Sequence, residues 1–84
     1  MKFKVYILWS ESIQKFYVGF TKDFKDRLNR HNNGYEKFTS TGVPWILVWN
    51  FDCNERIEAV RLETKIKKRG IRRFLEDNGI DFGR

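Results

Sequence analysis

FKVYILWSESIQKFYVGFT, residues 3–21, decides the fold. Residues 3–9 and 16–21 are rich in aromatic and β-branched side chains, and the stretch between them, 10–15, is polar apart from Ile13. That pattern predicts an antiparallel hairpin. Side chains alternate along a strand, so Tyr17 and Gly19 share one face of the second strand, and Tyr6 and Leu8 share one face of the first. If residue 6 lies opposite residue 19, both tyrosines point the same way and the glycine leaves open space beside Tyr6. A slip of one residue would separate them.

Working outward, residues 45–51, WILVWNF, predict a third strand whose unbroken apolar run implies burial on both faces. Thr21 and Asp23 are candidate caps for a short helix running to about Asn32 and stopped by Gly34. The polar segment from Lys37 to Pro44, which holds the chain's one proline, reads as a loop. A longer helix is expected from Asn54 or Glu55 to Arg69, capped by Asn54 and closed by Gly70. A last one is expected from Ile71 to Asp77, with Asn78-Gly79 as its stop. Helices do not alternate with every strand, so the order predicts an α+β fold with a small antiparallel sheet rather than a parallel one. At 84 residues there is room for one domain, 1–84, whose folding buries about 60% or somewhat more of the extended chain's surface. Fourteen aromatic side chains (three Trp, three Tyr, eight Phe) can fill a small core with few, rigid groups.

Composition excludes several classes. Cys53 is the single cysteine, so no disulfide partner is expected and no thiol cluster can hold structural zinc. A reducing, cytoplasmic setting is the expectation. The opening MKFKVYILWS is cut off by Glu11 and reads as a strand rather than a signal peptide. Nothing approaches the roughly 20 apolar residues of a membrane span, so no membrane partner is expected. Seventeen Lys and Arg against eleven Asp and Glu give a net charge of +6, which favours an anionic partner such as nucleic acid or an acidic surface.

Some residues fall where folding alone does not require them. On the long helix Ala59, Leu62 and Ile66 share a face, and Glu63 falls beside them, where it either pairs with Lys67 four residues on or does chemistry. On the short helix Phe24 and Leu28 mark the inner face, with Arg27 and His31 side by side along its border. His31 there is either a C-terminal residue favoured by the helix dipole or a site residue. Lys65, Lys67, Lys68, Arg69, Arg72 and Arg73 put six cations into nine residues, as a solvated surface or a track for a nucleic-acid backbone. Trp9, Trp45 and Trp49 serve either core packing or base stacking.

Four signals then coincide in order: VYI at 5–7, YVG at 17–19, an arginine at 27 within RLNRHN, and a glutamate at 63 within RLETKIKK. In this order the chain resembles the GIY-YIG nuclease superfamily, from the first strand to Lys68. It is most similar to compact stand-alone members in which HN.G follows the first helix and PW opens the third strand. The resemblance implies a three-stranded antiparallel sheet flanked by helices. It also implies metal-dependent endonuclease activity on nucleic acid, DNA first, of the kind seen in intron homing, excision repair and junction cutting. By position, Tyr6 and Tyr17 correspond to the two motif tyrosines, Gly19 to the motif glycine, Arg27 to the helix arginine and Glu63 to the metal-binding glutamate. His31 matches a histidine of many members. Val5 stands where the first motif commonly has glycine, at a position pointing away from the tyrosine face.

The chemistry so implied needs these residue types. One Mg²⁺ or Mn²⁺ on Glu63 suffices, because such an ion keeps most of its waters and takes one or two carboxylates plus phosphate oxygens. Arg27 offers paired donors to the scissile phosphate. A tyrosine, Tyr17 ahead of Tyr6, acts on water as general base, and His31 is the alternative base. Two other classes stay open: a non-cutting nucleic-acid- or protein-binding module on the same fold, and a small basic scaffold subunit.

Overall fold

The computed structural model describes residues 2–34 and 39–80, so Lys37 and Phe38 of the expected loop lie outside the described residues. Strand β1 (Phe3–Ser10) pairs with β2 (Lys15–Thr21), then come α1 (Phe24–Asn32), a 3-10 turn (Ser40–Gly42), β3 (Trp45–Cys53), α2 (Arg56–Arg69) and α3 (Ile71–Asp77). The sheet is three-stranded and antiparallel in the order β2-β1-β3, the expected α+β architecture. The hairpin turn is four residues, and Gln14 takes its left-handed position at φ 55°. The Gln14 side-chain amide holds that turn by donating to the Glu11 carbonyl at 2.9 Å and carboxylate at 3.0 Å.

Alternation along β1 divides the molecule. Val5 and Ile7 point into a cluster with Val18, Cys53, Ala59, Ile66, Phe74 and Leu75, on the face covered by α2 and α3. Tyr6 and Leu8 point the other way, into a cluster with Trp45 that Tyr17, Phe24 and Leu28 complete. As the central strand, β1 is therefore the one buried on both faces, with Val5 through Ser10 all buried.

The expectation that β3 is buried on both faces is corrected. Ile46 and Phe51 are each 54% exposed, because β3 is an edge strand with one partner and too little helix to cover it. Its register explains the mixed composition. Ile7 pairs with Trp49 and Leu8 with Leu47, so Val48 is an extra residue, a β-bulge. The bulge resets alternation, and Trp45 and Trp49, four apart, face opposite sides. Trp45 joins the Tyr6 cluster, while Trp49 meets Phe74 edge-on at 4.9 Å.

Helix ends follow local chemistry. Asp23 caps α1 by accepting from the Asp26 N–H at 3.0 Å, and Thr21 supports it by accepting from the Asp23 N–H at 3.1 Å. The cap of α2 is Glu55 rather than Asn54. Glu58, three residues after Glu55, reaches back to its N–H at 3.0 Å and closes a capping box that Asn54 stands one residue too early to form. Gly70, at φ 94°, ends α2 and lets α3 fold back. Arg69 then grips Asp77 with two bonds of 2.7 and 3.0 Å, which holds that carboxyl below its ordinary value. Cys53 is a free, buried thiol, pushed up by burial and by the nearby Glu58 and Asp52 carboxylates. No helix among the described residues is long and apolar enough to cross a membrane.

The unequal burial of two similar apolar strands has a direct test. Ile7→Ala, on wholly buried β1, should cost about 2–5 kcal/mol in urea unfolding, whereas Ile46→Ala on the β3 edge should stay within about 0.5 kcal/mol. Equal costs would contradict the edge position of β3.

Candidate active site

The site begins with one strand pairing. Tyr6 lies opposite Gly19, the register on which the two tyrosines share a face, and their ring centroids are 6.3 Å apart. The glycine is needed for space: a Cβ at residue 19 would sit 2.8 Å from the Tyr6 hydroxyl and 3.2 Å from Cε2 of Tyr17. Tyr6 is fully buried, so its hydroxyl needs a partner. It has one in His31 Nε2, 3.1 Å away. His31 Nδ1 in turn lies 2.8 Å from the Thr39 hydroxyl. His31 is 0% exposed and meets the Tyr17 ring edge-on at 5.0 Å. This corrects its expected position at the helix border, because the final turn of α1 tilts the imidazole under the sheet, where the two tyrosines enclose it.

A groove of about 490 Å³ runs beside this cluster. Tyr17, Gly19 and Thr21 line it from one face of β2, and Phe20 from the other. Arg27 enters from α1; Arg56 and Glu63 enter from α2. Since α1 and α2 cover opposite faces of the sheet, the groove wraps over the free edge of β2. It gathers side chains that no single face could hold together. Lys22, Asp23 and Phe3 complete its lining.

Four sequence-named residues, Tyr17, Gly19, Arg27 and Glu63, thus meet in one groove, and Tyr6 and His31 stand behind Gly19 as a buried layer. The Arg27 guanidinium engages no carboxylate among the described residues. Glu63, with 19% of its side chain exposed, pairs with Lys67 at 3.3 Å, so the expected i,i+4 ion pair and the groove position coexist. The basic run separates into tied and open members. Arg69 is bound to Asp77, Lys67 to Glu63, and Arg72 lies over the Phe16 ring at 5.3 Å. Lys65, Lys68 and Arg73 are exposed.

Sequence reasoning missed several lining residues. Phe3 and Phe20 were assigned only to strands, although Lys22 and Arg56 stand over their rings at 5.9 and 5.7 Å. Arg56 carried a usable signal, a cation at the start of a helix, where the dipole disfavours it without another purpose. Thr39 carried none, because it lies in the connection after α1.

The chain is similar to known proteins in sequence and in fold. A family model described as the GIY-YIG catalytic domain matches residues 2–73. UPF0213 proteins of Streptococcus agalactiae serotype V (strain ATCC BAA-611 / 2603 V/R) and serotype III (strain NEM316) are each 39% identical over 54 residues. Those matches span 63% of this chain and 61% of each relative, less than two thirds of their length. The solution NMR structure of the UPF0213 protein BH0048 from Bacillus halodurans superposes with a TM-score of 0.60 at 28% identity, covering 99% of this chain and 88% of that one.

Gly19→Ala tests the packing of the two layers. The added methyl must displace a Tyr6 ring held by His31, so we expect a loss of about 1–3 kcal/mol in thermal or urea unfolding. The His31 ring resonances should shift with it. A variant as stable as the parent, with unmoved His31 signals, would show that Tyr6 is not confined there.

Proposed function

The chain belongs to the GIY-YIG catalytic domain family, whose members are generally endonucleases using a divalent metal, and from this premise we propose that it hydrolyses phosphodiester bonds in nucleic acid, DNA first. The observation that carries the proposal is the groove in which Tyr17, Arg27 and Glu63 converge across the edge of β2. A pure binder has no need of that combination.

The donor set fits a hard cation. Among the described residues no group of three or more His, Cys, Asp and Glu side chains gathers, so a closed zinc-type site does not match. Of the two carboxylates lining the groove, Asp23 is taken up in capping α1, and the part-buried Glu63 matches Mg²⁺ or Mn²⁺, which keep their waters and share phosphate oxygens. Glu63 would hold the ion. Bound there, such an ion would supply neutralisation of phosphate charge. Lys22, Arg27 and Arg56 on the same walls attract the substrate phosphate into the groove.

The protein's own groups divide the remaining work. Arg27, facing the groove, donates to the non-bridging phosphate oxygens and stabilises the charge that grows on them. Tyr17, as its phenolate, takes the proton of the attacking water at its phenolic oxygen. Tyr6 is buried and hydrogen-bonded to His31, so it supports Tyr17 and the groove wall rather than meeting water. His31, equally buried, acts through Tyr6. Lys65, Lys68 and Arg73 follow the nucleic-acid backbone beyond the site.

One observation favours a second reading, a nucleic-acid-binding module that does not cut. Lys67 already neutralises Glu63 at 3.3 Å. That bond is 60% exposed at the lysine end and worth about 0.3–0.5 kcal/mol, little against a divalent ion with a bound phosphate.

Glu63→Gln separates the two. It should leave the fold intact and abolish Mg²⁺- or Mn²⁺-dependent cleavage across a panel of branched, nicked and linear DNA and RNA, because a neutral amide attracts a hard cation weakly. Tyr17→Phe and Arg27→Ala should each slow single-turnover cleavage by about 10² or more while nucleic-acid affinity stays within about threefold. Wild-type rates in Glu63→Gln would leave the binding module as the better account.

Salt dependence reads the basic run. Replacing Lys65, Lys68 and Arg73 by glutamine should flatten log K against log[salt] by about 0.9 for each duplex phosphate no longer neutralised. Replacing the Asp77-bound Arg69 should change the slope little. An unchanged slope in the triple variant would return these residues to a solvated surface.

A further inference from the structure

Thr39 carries a hydroxyl, yet it is wholly buried in the connection between α1 and β3. Its carbonyl accepts from the Trp45 indole N–H at 2.7 Å and from the Gly42 N–H at 3.1 Å, which fixes the backbone beneath the side chain. Gly42 makes that possible, since a Cβ there would collide with the Trp45 ring. Asn32 secures the other end, its amide accepting from the Trp45 N–H at 2.6 Å and donating to the Trp45 carbonyl at 3.2 Å. The hydroxyl so positioned lies 2.8 Å from His31 Nδ1, while Nε2 lies 3.1 Å from the Tyr6 oxygen.

A neutral imidazole carries one N–H, and the partners of its two nitrogens decide which. A phenol O–H is a stronger donor than an aliphatic hydroxyl, and its oxygen, conjugated with the ring, is a weaker acceptor. The best pairing therefore sends the Tyr6 O–H to the lone pair on Nε2 and lets Nδ1–H donate to Thr39 Oγ1. We propose that Thr39 is a positioning residue: it holds His31 in the Nδ1–H tautomer, so that Nε2 takes the Tyr6 hydrogen bond and keeps the phenol oxygen behind Gly19 on the groove wall. The catalytic consequence rests on the nuclease reading. The tautomer does not.

Because the chain has a single histidine, two-bond ¹H–¹⁵N correlations report His31 directly. At about pH 8, where imidazole is ordinarily neutral, the folded wild-type protein should give the Nδ1–H pattern; an Nε2–H pattern overturns the proposal. Thr39→Val keeps the shape and removes the acceptor, so the proton should move to Nε2 or divide between the nitrogens, while Thr39→Ser keeps the wild-type pattern. A folded Val variant with an unmoved tautomer also overturns it. Should the Val variant fail to fold, the wild-type and Ser spectra still decide. In cleavage assays Thr39→Val should lower kcat by about tenfold or more with KM within about twofold, and Ser should restore most of the rate. A change in KM alone would overturn the positioning role. A wild-type chain that gives the Nδ1–H pattern yet cuts nothing supports the Thr39 arrangement and overturns the nuclease reading instead.

Discussion

Tyr6 stands opposite Gly19 in the sheet, and its hydroxyl occupies the space that a side chain at residue 19 would need. Much of the α1 side of the molecule follows from that juxtaposition. A phenol oxygen buried without a partner would cost several kcal/mol on an apolar-transfer scale, so an acceptor or donor must be brought to it. His31 comes from the last turn of α1, and its second nitrogen requires a partner of its own, which Thr39 provides. Thr39 is anchored to Trp45, and Trp45 to Asn32 of α1. A hydrogen-bonded circuit thereby docks a short helix and an irregular connection on one face of the sheet, where the apolar contribution from Phe24 and Leu28 alone is modest. Such circuits hold one arrangement because a half-satisfied version is costly.

The other face is built differently. Val5, Ile7 and Val18 meet Ala59, Ile66, Phe74 and Leu75 in an apolar layer that asks for volume rather than direction. This division suits the site. The α1 face holds the tyrosines and imidazole through hydrogen bonds, the other face presents Glu63 on α2, and the edge of β2 between them is where the groove opens. Glu63, with Lys67 as its ion-pair partner, and Arg27 therefore reach the groove from opposite faces, across the edge of β2.

Charge is sorted along similar lines. A run of six cations in nine residues could be one uniform patch, yet Arg69 closes α3 against α2 and Arg72 covers an aromatic ring, while Lys65, Lys68 and Arg73 keep their heads in water. Structural cations and candidate phosphate-binding ones are interleaved in sequence because the run spans two helices, α2 and α3, broken at Gly70, and each helix turns successive residues by about 100°.

The hairpin pattern at residues 3–21, the capping residues and the glycine stops were enough to predict the strands, the helices and the antiparallel sheet, since each depends on neighbours within a few positions. Tyr17, Gly19, Arg27 and Glu63 were legible as a set through the resemblance carried by the order of the motifs, since strand alternation and helical spacing by themselves left each with a bland alternative. Other features needed the tertiary structure. Whether WILVWNF is central or an edge depends on which strand has two neighbours, and its hydropathy says nothing of that. The Val48 bulge, which sends Trp45 and Trp49 to opposite faces, exists only in the pairing with β1. His31 reads as a border residue on its own helix, and the partners that bury its two nitrogens, Thr39 and Tyr6, stand 8 and 25 positions away. Sequence alone determined what each segment could form and which side chains could do chemistry; only the tertiary structure decided which of them share a groove, because burial and contact arise between residues distant along the chain.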